Sequence, residues 1–217
     1  MAHFKNNRGF TLVELLAVVV IIGLMITISI PSLHRITQSS ALGNGTRQFT
    51  DQVAMARTYA MVNLKDVYLV VPYSQTSFPN NTLSNTYCYS SYGFCVSALN
   101  AVQQSVSSLA GMLTNVTYID AIQYLPQGAV FANQISNVST QLVPFPTSTN
   151  TAVNIWCVKI NKYGQIQSLN PSIPSTAWPT FSMMQGFLVG SNSVGTYAGT
   201  NTIAINPLTS KARITKS

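Results

Sequence analysis

The chain has 217 residues, a net charge of +7 and only 7% charged residues, with 47% hydrophobic ones. That length allows one globular domain of ordinary size and little more. The four carboxylates are Glu14, Asp51, Asp66 and Asp120, unpaired in sequence, and the two histidines are His3 and His34. Such a scarcity argues against acid–base catalysis, against a nucleophile triad and against a calcium loop.

The N-terminal segment carries Lys5 and Arg8, and then reads Gly9-Phe10-Thr11-Leu12-Val13-Glu14 before an uncharged run from Leu15 to Ile30. As a helix, residues 11–30 would be about 30 Å long, the thickness of a bilayer's hydrocarbon core. An ionisable group in such a span costs ~2.5–3.5 kcal/mol, so Glu14 needs a specific partner or role. A secretory signal would place its small-residue cleavage site after the apolar run, where Thr27-Ile28-Ser29-Ile30-Pro31 is a poor one. A plain anchor explains the length and the positive flank, but neither Gly9-Phe10 nor Glu14.

These residues, from about Lys5 to Pro31, closely resemble the N-terminus of type IV pilins and type II secretion pseudopilins. The resemblance implies cleavage between Gly9 and Phe10 by a prepilin peptidase and methylation of the new Phe10 amine. It also implies assembly into a filament through Glu14, the fifth residue after the cut. Loss of Lys5 and Arg8 with the leader lowers the net charge from +7 to +5. The implied partners are other pilins or pseudopilins, the peptidase/methylase and an inner-membrane assembly platform. The implied location is a single pass of the bacterial inner membrane, with the following domain in the periplasm or in an extracellular filament.

Farther on, Pro31 is expected to kink the helix, because it lacks an N–H and crowds the preceding turn. Gly43-Asn44-Gly45 is a second weak point. Leu42, Phe49, Val53, Ala56, Ala60 and Leu64 then trace one apolar stripe, with Arg47, Asp51 and Arg57 off it. The reading is one long, interrupted helix from Thr11 to about Val62, with Asn63 as a left-handed cap. The chain divides into leader 1–9, membrane half 10–30, amphipathic half 31–64 and β-rich domain 65–217. Its fold class is α+β, a long N-terminal helix packed on an antiparallel β domain.

Strands are expected at Val67–Val71, Val116–Ile119, Ala129–Phe131 and Val153–Ile160, the last turning through Asn161-Lys162-Tyr163-Gly164 into Gln165-Ile166. Others are expected at Phe187–Val189, Thr202–Ile205 and Ala212–Thr215. Pro72–Thr86 and Asn170–Pro179 read as loops, and Leu99–Leu113 as a short helix. Cys88 and Cys95 flank two aromatic arms around Ser90-Ser91-Tyr92-Gly93, a turn that would bring the sulfurs together in a disulfide; the alternative is two reduced thiols. Cys157 reads as a buried free thiol. The cysteines lack paired short spacings, and His34 is the one histidine beyond the leader, so no metal site and no cofactor are expected.

The tracts Ala54–Asn63, Leu125–Phe131 and Asn206–Ile214 resemble H-type minor pseudopilins and related minor pilins, with Ser210 where that family's closing turn usually has glycine. Certain relatives of that group bind DNA through a basic C-terminal segment. Here Lys211, Arg213 and Lys216 are the counterpart, and the plainer reading is a solvated edge that deters strand pairing. The aromatic Cys88–Cys95 loop is a second candidate contact, for adhesion, if its tyrosines are exposed.

Overall fold

A computed structural model describes residues 12–73, 86–97, 116–132, 135–144, 152–167, 169, 173–189 and 193–216, with the side chains of residues 27–39 outside that description. The chain is α+β, with every strand pair antiparallel. It divides into two compact units, Met1–Gln38 and Ser39–Ser217. Helix α1 spans Leu12–Asn63.

In the second unit, Leu42, Phe49, Val53, Ala56 and Ala60 are buried along one face of α1, as their spacing predicts. Phe49 is the hub. Its ring meets Tyr92, Phe131 and Phe181 edge-on at 5.2, 5.4 and 5.3 Å. Those rings come from β2 (Ser91–Ser97), β5 (Ala129–Phe131) and β9 (Thr180–Val189). β2 belongs to one sheet, of order β3-β2-β1-β7-β6, and β5 and β9 to a second, of order β11-β10-β9-β5. One side chain therefore ties the helix to both sheets.

The first sheet comprises β1 (Val67–Pro72), β2, β3 (Val116–Tyr118), β6 (Ser139–Pro144) and β7 (Ala152–Ile160). Short strands β4 (Gln123–Tyr124) and β8 (Ile166–Gln167) pair with β2 and β7. The second sheet adds β10 (Ser193–Ile205) and β11 (Ala212–Lys216) to β5 and β9. β1 is buried throughout, matching its continuous apolar sequence.

Three expectations are corrected. The backbone is helical across Gly43-Asn44-Gly45, with no interruption. Gly45 serves close approach instead: a Cβ there would lie 3.2 Å from Pro126 Cδ and 3.4 Å from Ala129 Cβ. The left-handed cap is Leu64 (φ 52), not Asn63. The Lys65 N–H reaches back to the Ala60 carbonyl at 3.1 Å, the six-to-one bond of a Schellman ending, and this leaves Leu64 71% exposed and off the apolar stripe. Asn63 stays helical, its side-chain amide donating to the Tyr59 carbonyl.

The third correction is the turn expected at Ser90–Gly93. Tyr92-Gly93-Phe94 are in strand β2, with Gly93 opposite Val70 and Phe94 opposite Leu69. Gly93 is there because the Tyr118 ring and Ile122 occupy its missing side chain's place: a Cβ would fall 2.7 Å from Ile122 Cδ1. The helix expected over Leu99–Leu113 lies outside the described residues. The helix assignment passes through Pro31, whose side chain also lies outside the description.

Ser210 adopts φ 51, the region that favours glycine. Its buried hydroxyl donates to the Gly164 carbonyl at 2.7 Å, and Arg57 Nε donates to the same oxygen at 3.2 Å. The closing turn is thus held to the β7–β8 turn and to α1 by one acceptor.

The named core lies within Ser39–Ser217, so a fragment starting at Ser39 is expected to fold cooperatively without detergent. Within it, Leu64→Gly relieves a left-handed leucine and should raise stability by about 1 kcal/mol. Tyr92→Phe removes a buried hydroxyl that has no hydrogen-bond partner among the described residues and should also stabilise, by about 1 kcal/mol. Urea unfolding of the three proteins checks both; a loss of stability in either variant contradicts the assignment.

Candidate functional site

The described start of α1 is apolar on every side. From Leu12 to Ile26 its large hydrophobic side chains are between 46% and 80% exposed, far more than an apolar face tolerates in water. A helix hydrophobic all round needs lipid or other helices around it. Glu14 is the acidic residue of its first turn, where the helix dipole favours a negative charge. Among the described residues no helix is long and apolar enough to cross a membrane. Gly9 and Phe10 lie outside the described residues.

A prokaryotic N-terminal methylation motif is matched at residues 4–30, the stretch that holds Gly9, Phe10 and Glu14. That motif is the N-terminal signature of the type IV pilin and pseudopilin family, and the match covers this chain's N-terminus alone. Neither a curated protein nor a solved structure matches it. Chains of this pilin family are processed by a prepilin peptidase, assemble with other pilins and are typically membrane-anchored; the family is structural rather than enzymatic.

The expected Cys88–Cys95 disulfide is not present: Cys88, Cys95 and Cys157 are three buried free thiols. The cause is the straightening of β2. The four residue steps from Ser91 to Cys95 cover about 13 Å, so Cys95 is carried away from Cys88 instead of folding back on it. Cys95 stands opposite Tyr68 on β1, and Cys157 opposite Val70 on that strand's other side. Burial pushes the Cys88 and Cys95 thiols up to about 12 and raises Cys157 well above its usual value. Cys157 is buried, as its strand context predicts.

The adhesive reading of this loop fails with the turn. Tyr89, Tyr92 and Phe94 are buried, Tyr89 edge-on to Trp156 at 5.7 Å.

The C-terminal cations do not form one cluster. Lys211 precedes β11, while Arg213 and Lys216 are three residues apart in it and so lie on opposite faces. Lys216 and Ile214 line a groove of about 440 Å³ with Ser40, Asn44 and Arg47 of α1. Lys211 and Ala212 line an adjoining recess of about 400 Å³ with Thr50, Ala54 and Thr58. Sequence reasoning missed this helix–strand groove. Its one legible sign was the small or polar series Gly43, Arg47, Thr50, Ala54 beside the apolar stripe. The groove floor is fixed by Asn201 Nδ2, which donates to Thr46 Oγ1 at 2.9 Å, and by that hydroxyl donating to the Leu42 carbonyl at 2.8 Å.

The thiols generate a two-part expectation. In the folded protein all three should resist alkylation near neutral pH and react only after unfolding, with no Cys88–Cys95 link in non-reducing mass maps. Because burial raises their folded pKa, the neutral thiol is the native form. That contribution is whole below the unfolded thiol's pKa and is lost as pH climbs from about 9 towards about 12. Tyr68, Tyr92 and Tyr118, also raised by burial, act in the same direction. The unfolding midpoint of the fragment should therefore fall steadily from about pH 9 to about pH 11. A flat profile would mean that these groups are not buried.

Proposed function

We propose that the chain is a minor pilin or pseudopilin: a precursor held in the inner membrane, cut between Gly9 and Phe10, methylated on Phe10 and assembled through its N-terminal helix into a periplasmic or extracellular filament. The observation that carries this reading is an apolar helix exposed on all sides with a single carboxylate in its first turn, inside a methylation motif. On this reading residues 10–30 cross the membrane and Pro31 bends the helix where it leaves. The assembly platform drives incorporation. The resemblance of the Ala54, Leu125 and Asn206 tracts to H-type minor pseudopilins favours a place in a type II secretion pseudopilus or a related pilus.

Glu14 supplies the mechanism. After cleavage the Phe10 amine is a cation, and in a bundle of apolar helices both it and the Glu14 carboxylate lose their water. Pairing Glu14 with the Phe10 amine of a neighbouring subunit removes both penalties together and sets the axial step. A second reading, DNA binding by Lys211, Arg213 and Lys216, has the exposure of these residues in its favour. Their division between two strand faces weighs against it, and retention on DNA that fades with salt would reveal it.

Intact-mass measurement of the mature protein should give Phe10 as the N-terminus with one added methyl group, and a bulky acidic residue at position 9 should leave the leader attached. An N-terminus beyond Ile30 would instead indicate an ordinary signal peptide.

Glu14→Ala separates maturation from assembly. Insertion and cleavage should persist, since neither Gly9 nor the apolar run is altered. The neighbour's amine loses its partner in a dry bundle, at a cost of several kcal/mol. The variant should therefore accumulate, processed, in the membrane and fall at least ten-fold in sheared filaments on an immunoblot of both fractions. Incorporation at the wild-type level would rule out the charge pair.

A further inference from the structure

Among the described residues β11 is the outermost strand of its sheet, and no strand pairs with its second edge. Its hydrogen-bonding phase follows from two contacts. The Asn206 N–H donates to the Lys211 carbonyl at 2.9 Å, which makes that pair hydrogen-bonded, and Ile205 N–H turns the other way, to the Pro179 carbonyl beside β9. Alternation then directs the backbone of Arg213 and Thr215 to Ala204 and Thr202 on β10. The N–H and C=O groups of Ala212, Ile214 and Lys216 point out of the sheet.

That edge forms one wall of the helix–strand groove. Arg47 lies near Ile214 and Lys216 at one end, and Thr50 and Ala54 lie near Lys211 and Ala212 at the other. The wall of α1 there is Gly43, Arg47, Thr50 and Ala54, small except for the arginine. A Cβ at Gly43 would meet nothing within 4 Å. From Gly43 to Ala54 the helix rises about 16 Å, and β11 runs about 14 Å, so the two walls match the length of one short strand. Arg47, Lys211, Arg213 and Lys216 form no ion pair among the described residues.

We propose that this groove takes an extended, carboxylate-bearing segment of a partner protein as an added strand beside β11. The outward backbone groups fit an extended chain, which completes the ladder by main-chain hydrogen bonds. Arg47 and Lys216 on the groove side, with Lys211 at its end, select acidic side chains, and the same cations keep a neutral or basic strand off the open edge. Single-stranded nucleic acid fits less well. None of the groove-lining residues is aromatic, so only the guanidinium planes of Arg47 and Arg57 could stack on a base. The site belongs wholly to the Ser39–Ser217 unit and does not depend on the filament reading.

The test uses the full-length chain in detergent micelles and a fluorescent eight-residue peptide alternating threonine and glutamate, read by anisotropy. The peptide should bind, and its counterpart with lysine for glutamate should bind at least ten-fold more weakly. Ile214→Pro removes one outward N–H without touching the β10 ladder and should weaken glutamate-peptide binding at least ten-fold. In case proline disturbs the fold, Arg47→Glu combined with Lys216→Glu changes exposed side chains alone and should reverse the preference between the two peptides. Arg213→Ala, on the opposite face, should change affinity less than two-fold. The proposal is overturned if neither peptide binds at millimolar concentration, or if the double variant keeps the preference for glutamate. It is equally overturned if a single-stranded oligonucleotide of equal charge binds as tightly and displaces the peptide.

Discussion

The contact on which the globular unit depends is the burial of Phe49 between two sheets. The two sheets share no ladder; main-chain bonds join their margins, Phe131 N–H to the Tyr89 carbonyl at 2.7 Å and Ile166 N–H to the Pro207 carbonyl at 2.6 Å, and between them three rings, Tyr92, Phe131 and Phe181, converge on one helical residue. Edge-to-face pairs add about 0.5–1.5 kcal/mol each beyond their buried area. More important is their geometry: a ring met from three sides cannot rotate or slide, so the register of α1 over both sheets is fixed at that point. Leu42, Val53, Ala56 and Ala60 extend the contact up and down the helix, and Gly45 lets the Leu125–Ala129 segment approach between them.

A second fixed point lies near the helix C-terminus. The Gly164 carbonyl accepts from Arg57 and from Ser210, so the helix, the β7–β8 turn and the β10–β11 turn meet at one oxygen. Asn161 shapes the first turn by accepting the N–H groups of Tyr163 and Gln165, and Asn206 shapes the second by accepting those of Leu208 and Thr209. Ser210 in a glycine-like conformation makes sense in this setting. The cost of a left-handed serine, about 1 kcal/mol, is offset by a buried hydrogen bond that glycine cannot make. Serine at this turn is therefore a local exchange of backbone freedom for a side-chain tether.

Legibility in the sequence followed the strength of the local pattern. The stripe on α1, the apolar β1 and the long β7 are periodic or β-branched enough to be read directly. β2 was not, because Ser91, Tyr92 and Gly93 have turn composition; only Ile122 and the ring of Tyr118, both more than twenty residues away, explain a glycine in mid-strand. The same error produced the false disulfide, since the sulfur pairing rested on that turn. β6 was missed for a related reason: Ser139–Pro144 is polar and ends in proline, which an edge strand allows. Of the candidate functional residues, Glu14 was legible because a charge in an apolar run is conspicuous. The groove beside β11 was not, because it is made by the pairing of a helix flank with a strand 160 residues later, and neither flank is unusual alone.

The two described stretches of α1 obey different rules, and the contrast bears on how such a subunit works. Between Ser40 and Asn63 the buried apolar residues lie on one face and are consumed by the sheets, while Asp51 and Thr58, with the apolar Ala54, Met55 and Val62, stay exposed. Between Leu12 and Ile26 there is no polar face beyond Glu14, and nothing in the globular unit's own core requires those residues. Selection for stability of the domain cannot maintain a helix that contributes nothing to its core. On the proposed reading, the apolar surface and its carboxylate are maintained by what would surround them: lipid before assembly and neighbouring helices after it. In lipid the carboxylate is a liability of a few kcal/mol, and among helices that carry an N-terminal amine it becomes a partner. On that reading one residue would bias the subunit out of the membrane and into the bundle, without any change in the domain that the bundle carries.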